Sequence, residues 1–254
     1  DFLYGWIQSR GLDALVHHSR DMGTAAPSHW HTAIDRLAHT LPRLRDSKGH
    51  GYFCYDARTL RPLLLTNGGA QPQAPRDGRI FTPSDIYLAT ALAVSALHAG
   101  DDCSNSLDVL MAVHRALDEG TFLADETLPP QAASLRRQGD PARLGPAALA
   151  GSPPAIMDKV FTRYLDPATM LLREKTGADA CAGGLAMEFS GFALGYCLLG
   201  GTAGPERELA RIAEAAFRHC FTGTAIPTYT ALDGGSHSGL FPWWPLAEAI
   251  RALA

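Results

Sequence analysis

The chain has 254 residues, 46% of them hydrophobic and 19% charged, which is enough material for one large domain with a substantial core. Its net charge of −4 gives no electrostatic case for nucleic acid or an anionic membrane surface as a partner. No apolar run reaches the roughly 18 residues that a spanning helix needs, and no signal peptide is visible, so a cytoplasmic location is expected.

The pattern along the chain is helical, beginning with a helix over Leu3–Met22 that closes near Gly23 and Pro27. The chain starts at Asp1 inside that pattern, and further residues are expected to precede it. Ser28 is the expected N-cap of a second helix, whose apolar residues Trp30, Ile34, Leu37, Leu41 and Leu44 share one face. Tyr52–Tyr55 and Leu63–Leu65 predict two short strands about a turn near Asp56. Residues 67–82 are rich in Gly, Pro and Gln and predict a loop. Pro83, Ser84 and Asp85 open a nearly uncharged helix that runs to His98 and stops at Gly100. Another helix is expected over 105–118, and the stretch 125–154 has little periodicity.

The second half predicts a helix over 155–164, a hairpin over 165–176 and an apolar helix over 185–199. An amphipathic helix follows at 205–221, then a strand near Thr228–Thr230, a Gly-rich turn and a terminal helix from Pro245. The 205–221 segment places Leu209, Ile212, Ala213, Ala216, Phe217 and Cys220 on one face, with its charges elsewhere. The 185–199 segment is apolar or small on nearly every side and must be covered all round. Wet outer helices alternating with dry inner ones, joined by short β-hairpins, describe a double ring better than a plain bundle. The expected fold is therefore all-α: a toroid of helical hairpins spanning residues 1–254 as a single domain, incomplete at the N-terminus.

Five cysteines (Cys54, Cys103, Cys181, Cys197 and Cys220) form no C-x-x-C pair. They are expected as reduced thiols packed like small hydrophobes. His29 and His31 have no third ligand at metal spacing, so no metal is expected. There is no G-x-G-x-x-G, P-loop or G-x-S-x-G, so neither a nucleotide cofactor nor an elbow serine is supported.

Four segments share an order with a known family. Pro242-Trp243-Trp244-Pro245-Leu246-Ala247-Glu248-Ala249-Ile250 resembles the W-W-P-Q-A-E-A-[IL] signature that closes N-acylglucosamine 2-epimerases. Gly184-Leu185-Ala186-Met187-Glu188-Phe189 resembles that family's G-H-x-x-E-[WF] helix start. Trp6-Ile7-Gln8-Ser9-Arg10 resembles its W-x-Q-x-R segment, and Asp46 to Asp56 its D-x-x-x-G-G-[FY]-F hairpin. The resemblance implies an (α/α)6 barrel and cofactor-independent epimerisation or aldose–ketose isomerisation of a small-molecule sugar, with a homodimer left open as the oligomer. Two positions depart from the pattern: the family's catalytic His is Leu185 here, and the Gln of W-W-P-Q is Leu246.

Both reactions remove a proton beside a carbonyl, so they want a group that exchanges protons near neutral pH and a donor for the developing oxyanion. The expected catalytic residues are His237 for proton transfer, Glu188 as base or hydroxyl anchor, and Arg10 for charge stabilisation. Glu188 is notable as the sole charge in its apolar helix, where a carboxylate is costly unless it is paired or faces a wet cavity. Sugar contacts are expected from Gln8, Tyr4, Trp243, Trp244, Asp85, Tyr87 and His114. Each has a structural rival: core packing for the Trp pair, first-turn dipole compensation for Asp85, an exposed loop for His237. A glycoside or uronyl hydrolase using Glu188 with Asp85 or Glu248 is one alternative. A non-catalytic sugar-binding protein, motivated by Leu185, is the other.

Overall fold

A computed structural model describes residues 1–66, 68–123, 144–151 and 153–253. The expectation of little periodicity over 125–154 falls largely outside these residues. The protein is mostly helical and divides into two compact units, Asp1–Asp140 and Pro141–Ala254. Among the described residues no helix is long and apolar enough to cross a membrane.

The first unit begins with a strand, not a helix. β1 (Phe2–Tyr4) pairs antiparallel with β2 (Cys54–Asp56), Tyr4 opposite Cys54. Pairing to a distant segment holds these three residues extended, and α1 (Gly5–Met22) starts only where the ladder ends. Gly5 donates its N–H to Phe53 at 3.0 Å, and a Cβ there would sit 2.4 Å from the Tyr52 carbonyl oxygen, so the strand-to-helix corner needs glycine. β2 continues to β3 (Pro62–Thr66) and then β4 (Gly69–Pro72), giving an antiparallel sheet in the order β1-β2-β3-β4. β4 lies in the segment expected to be loop; it is exposed throughout, so it carries no burial pattern to read.

α2 (Ser28–Thr40) is capped by Pro27, with Ser28 its first residue, and gives way to a 3-10 turn over Leu41–Leu44 where Pro42 removes an amide donor. α3 (Pro83–Ala99) has a complete capping box: Thr82 bonds the third helical amide while Asp85 bonds back to the Thr82 amide. Gly100, at φ 76°, ends it. α4 (Ser104–Glu119) follows. α1 packs on α2 and α3, and α3 on α4.

The second unit holds α5 (Leu144–Leu149), α6 (Pro154–Tyr164) and the hairpin β5 (Leu165–Asp166) with β6 (Leu171–Leu172). β7 (Ala180–Cys181) leads into α7 (Gly183–Leu198), followed by α8 (Glu206–Cys220), β8 (Thr230–Ala231) and α9 (Trp244–Leu253). β8 pairs back to β7, Cys181 opposite Thr230. α7 is buried on almost every side, with α5, α8 and α9 packed around it. Three glycines make that covering close. A Cβ on Gly183 would lie 2.5 Å from Cys220 Sγ, and one on Gly184 would lie 2.9 Å from both Trp244 and Pro245. Gly191 faces the stem of Arg251 at ordinary contact distance. α8 keeps Leu209, Ile212, Ala213, Ala216 and Cys220 buried, as its periodicity predicts, with Phe217 half-buried beside them.

Candidate functional site

In the first unit the two helix starts α1 and α3 lie face to face. Trp6 and Arg10 are one turn apart on α1; Ser84 and Tyr87 are one turn apart on α3. The Trp6 indole N–H donates to Ser84 Oγ at 2.7 Å. Its ring lies 5.1 Å from Tyr87 and 5.2 Å edge-on to Phe53, and Tyr4 meets Phe53 at 5.4 Å. The Arg10 guanidinium carbon stands 5.5 Å from the Tyr87 ring centroid, a cation–π distance. Tyr4, Trp6, Gln8, Arg10 and Tyr87 are all half-buried, so the cluster is a platform with one open side. The crevice beneath it, lined by Gly5, Ser9, Tyr52, Tyr55 and Ser84 among others, is too tight to take a water molecule.

Asp85 lies beside this platform in sequence, yet its carboxylate is committed elsewhere. Oδ2 accepts from Arg76 (2.8 Å) and from the Thr82 amide (2.8 Å), and Oδ1 from the Gly51 amide (2.9 Å). His50 Nδ1 stands 3.3 Å from Oδ1. The Asp85 side chain is 1% exposed and that of Arg76 6%. Capping and ion pairing account for this carboxylate, which leaves the hydrolytic alternative without support from Asp85. Arg76 sits in a Gly- and Pro-rich stretch, and no local signal marks it as the partner of a helix cap.

The turn before β2 is built on a second acid. Asp46 accepts from the amides of Lys48 (2.8 Å) and His50 (3.0 Å) and from the Tyr52 hydroxyl (2.5 Å). Burial pushes the Asp46 carboxyl up, but these hydrogen bonds outweigh it and hold it below the usual range. Burial, reinforced by Asp46, pushes the Tyr52 hydroxyl up. His114 is 7% exposed on α4, among Leu110, Val113 and Leu117, on the helix that packs against α3.

In the second unit the segments resembling the epimerase signatures meet. Gly184 opens α7 directly against Trp244 and Pro245 at the start of α9. Trp244 is half-buried by this packing, whereas Trp243 is 82% exposed. Glu188, in the second turn of α7, is 5% exposed, and Leu185 is half-buried. Glu248 is 3% exposed beside Arg251 (3.6 Å). His237 sits on an exposed turn, but the turn is tied down and not the flexible loop its glycines suggest. Ala231 donates to the Ser236 carbonyl (2.8 Å), Ser238 to the Tyr229 carbonyl (2.9 Å), and Gly235 to Asp233 Oδ1 (2.8 Å). Thr230 bridges to His237 on one side and pairs with Cys181 on the other, so the turn continues the short sheet that feeds α7. His237 Nδ1 lies 2.7 Å from the Ser238 carbonyl oxygen. A carbonyl only accepts, so Nδ1 carries the proton and Nε2 of the neutral ring is left as a base. The ring packs edge-on to Phe241 at 5.3 Å.

Among the described residues, no three His, Cys, Asp or Glu side chains are grouped to hold a metal ion. Neither a protein-family model nor a curated protein matches the sequence. Solved structures do. A sugar epimerase from a ruminal bacterium superposes with a TM-score of 0.51 at 11% sequence identity, covering 98% of this chain and 69% of that one. The fold is similar to that of a sugar epimerase. A cellobiose 2-epimerase from Bacillus thermoamylovorans B4167 gives a TM-score of 0.49 at 10% identity, with the same coverage of both chains. At this identity the epimerase-like fold says which scaffold carries the residues described above, and the chemistry has to be argued from the residues themselves.

Proposed function

We propose that the protein moves the C2 proton of a sugar, as an epimerase or an aldose–ketose isomerase that needs no cofactor. The observation that carries this reading is the fixed His237 imidazole, with Nδ1–H held by the Ser238 carbonyl and Nε2 left as a proton acceptor. Removing a proton beside a carbonyl needs such a base. The half-open ring platform of the first unit supports the same reading, because aromatic faces stack on the apolar face of a pyranose and a guanidinium binds hydroxyl or enediolate oxygens. In this proposal His237 transfers the proton and Glu188, in the same unit, anchors a hydroxyl or serves as a second base, with Trp243 as a sugar contact and Trp244 as packing. The first unit's own platform of Tyr4, Gln8, Arg10 and Tyr87 is proposed separately as a sugar-binding surface, with Arg10 on an oxygen. The α/α toroid of the sequence reading belongs to the same proposal, with the fold-level likeness as its support.

The test is proton NMR of the protein with free and N-acetylated hexoses in D2O. Loss of the C2 proton signal and new anomeric signals are expected, with exchange reduced about 10²–10⁴-fold in His237→Ala. Full exchange in that variant would refute the role given to His237. A second reading, sugar binding without turnover, is favoured by one observation: Leu185 stands where a second proton-transfer His would be. Saturable binding with no C2 exchange across the panel would decide for it.

A further inference from the structure

Cys181 and Cys220 are far apart in sequence and adjacent in space. Their sulfurs are 3.2 Å apart, with Cys181 0% and Cys220 2% exposed. Cys181 ends β7 and Cys220 ends α8, and the contact depends on Gly183, where a side chain would overlap the Cys220 sulfur. The separation is about 1.1 Å longer than an S–S bond of about 2.05 Å. We propose that Cys181 and Cys220 are an oxidisable dithiol that closes to a disulfide tying β7 to the end of α8. The inference is independent of the sugar reading.

The two thiols are not equivalent. A hydrogen bond from Cys181 holds the Cys220 thiol down, and the same contact pushes Cys181 up. Cys220, with Thr230 and His219 also favouring its thiolate, is the attacking sulfur of the proposal; the same disulfide forms with the two roles exchanged. The remaining cysteines are poorer nucleophiles: burial, with Glu206 nearby, pushes Cys197 up to about 11, and burial raises Cys54 and Cys103.

The oxidant is a small peroxide. The Cys220 thiolate attacks one oxygen of hydrogen peroxide, the O–O bond breaks, and a sulfenic acid forms with hydroxide leaving. Cys181 sulfur then attacks the Cys220 sulfur, the S–O bond breaks, and the S–S bond forms. The two thiol protons end in two molecules of water, so two thiols are oxidised and one peroxide is reduced. Peroxide reaches the pair when β7 separates from β8, a pairing two residues long on each strand.

The experiment titrates the full chain with hydrogen peroxide, alkylates free thiols in denaturant, and maps the linked peptides by mass spectrometry. Loss of two hydrogens, two fewer alkylated thiols and a crosslink between the peptides holding Cys181 and Cys220, all reversed by dithiothreitol, are expected. A triple Cys54→Ala, Cys103→Ala, Cys197→Ala variant is expected to form the same crosslink. In Cys220→Ser, Cys181 is expected to remain alkylatable at the same peroxide dose. Five free thiols after treatment of the wild-type chain, a crosslink elsewhere, or Cys220 sulfinic acid without a crosslink would each overturn the proposal. The wild-type map stands even if a variant fails to fold.

Discussion

α3 and α7 look alike in sequence. Both are nearly uncharged, both must be buried, and each carries one acid, Asp85 or Glu188. The structure separates them. Asp85 is the third residue of its helix, where a carboxylate can reach back to the capping amide, and it also collects Arg76 and the Gly51 amide. Glu188 is one turn further in, beyond reach of the free amides at its own helix start, in a helix whose first residues are glycines. A lone acid on a dry helix is therefore not by itself a site. Its position relative to the helix end decides whether the cap can take it up.

The sharpest way to break this comparison is Asp85→Ala. It strands a buried guanidinium and two amides, and should cost about 3–5 kcal/mol in urea unfolding. Asp85→Asn should act on stability through its cap and ion pair, and Glu188→Gln should lower C2 exchange. Full exchange in the Glu188 variant would remove that residue from the site. Next in size is Gly184→Ala, which forces a Cβ into Trp244 and Pro245 and should cost about 1–3 kcal/mol by the same measurement. A neutral result would mean that Trp244 and Pro245 give way to the added methyl group at no cost. Trp6→Phe removes the Ser84 hydrogen bond but keeps most of the platform, for a loss of about 1 kcal/mol.

The smallest effect concerns pH. Asp46 has a lowered folded pKa, so its contribution to stability is present above the ordinary carboxyl value of about 3.9. That contribution disappears as pH falls through the depressed folded value. Asp46→Asn should flatten the acid limb of the stability-versus-pH curve, measured by thermal unfolding. An unchanged limb would place the acid sensitivity elsewhere.

Local patterns carried much of the fold. The periodicity of α8, the proline and capping acid of α3, and the glycine stops at Gly100 and Gly120 are all readable without tertiary information, because each acts within a few residues. The β1 strand was not readable, since Phe2–Tyr4 are extended only through pairing with residues 54–56. β4 escaped for a different reason: it pairs with the neighbouring β3 but is an exposed edge with no alternation.

The site divides along the same line. Trp6 with Arg10 and Ser84 with Tyr87 are helical neighbours in sequence, but that one pair faces the other depends on the packing of α1 on α3. Sequence alone determined the helices, their dry and wet faces and the inventory of chemistry-bearing side chains, because those follow from short-range sterics and hydrophobic spacing. Only the tertiary structure decided that Asp85 is occupied by Arg76, that Trp6 meets Ser84, and that two cysteines touch. Each of those depends on a partner brought from elsewhere in the chain, and local periodicity carries no record of which distant residue arrives.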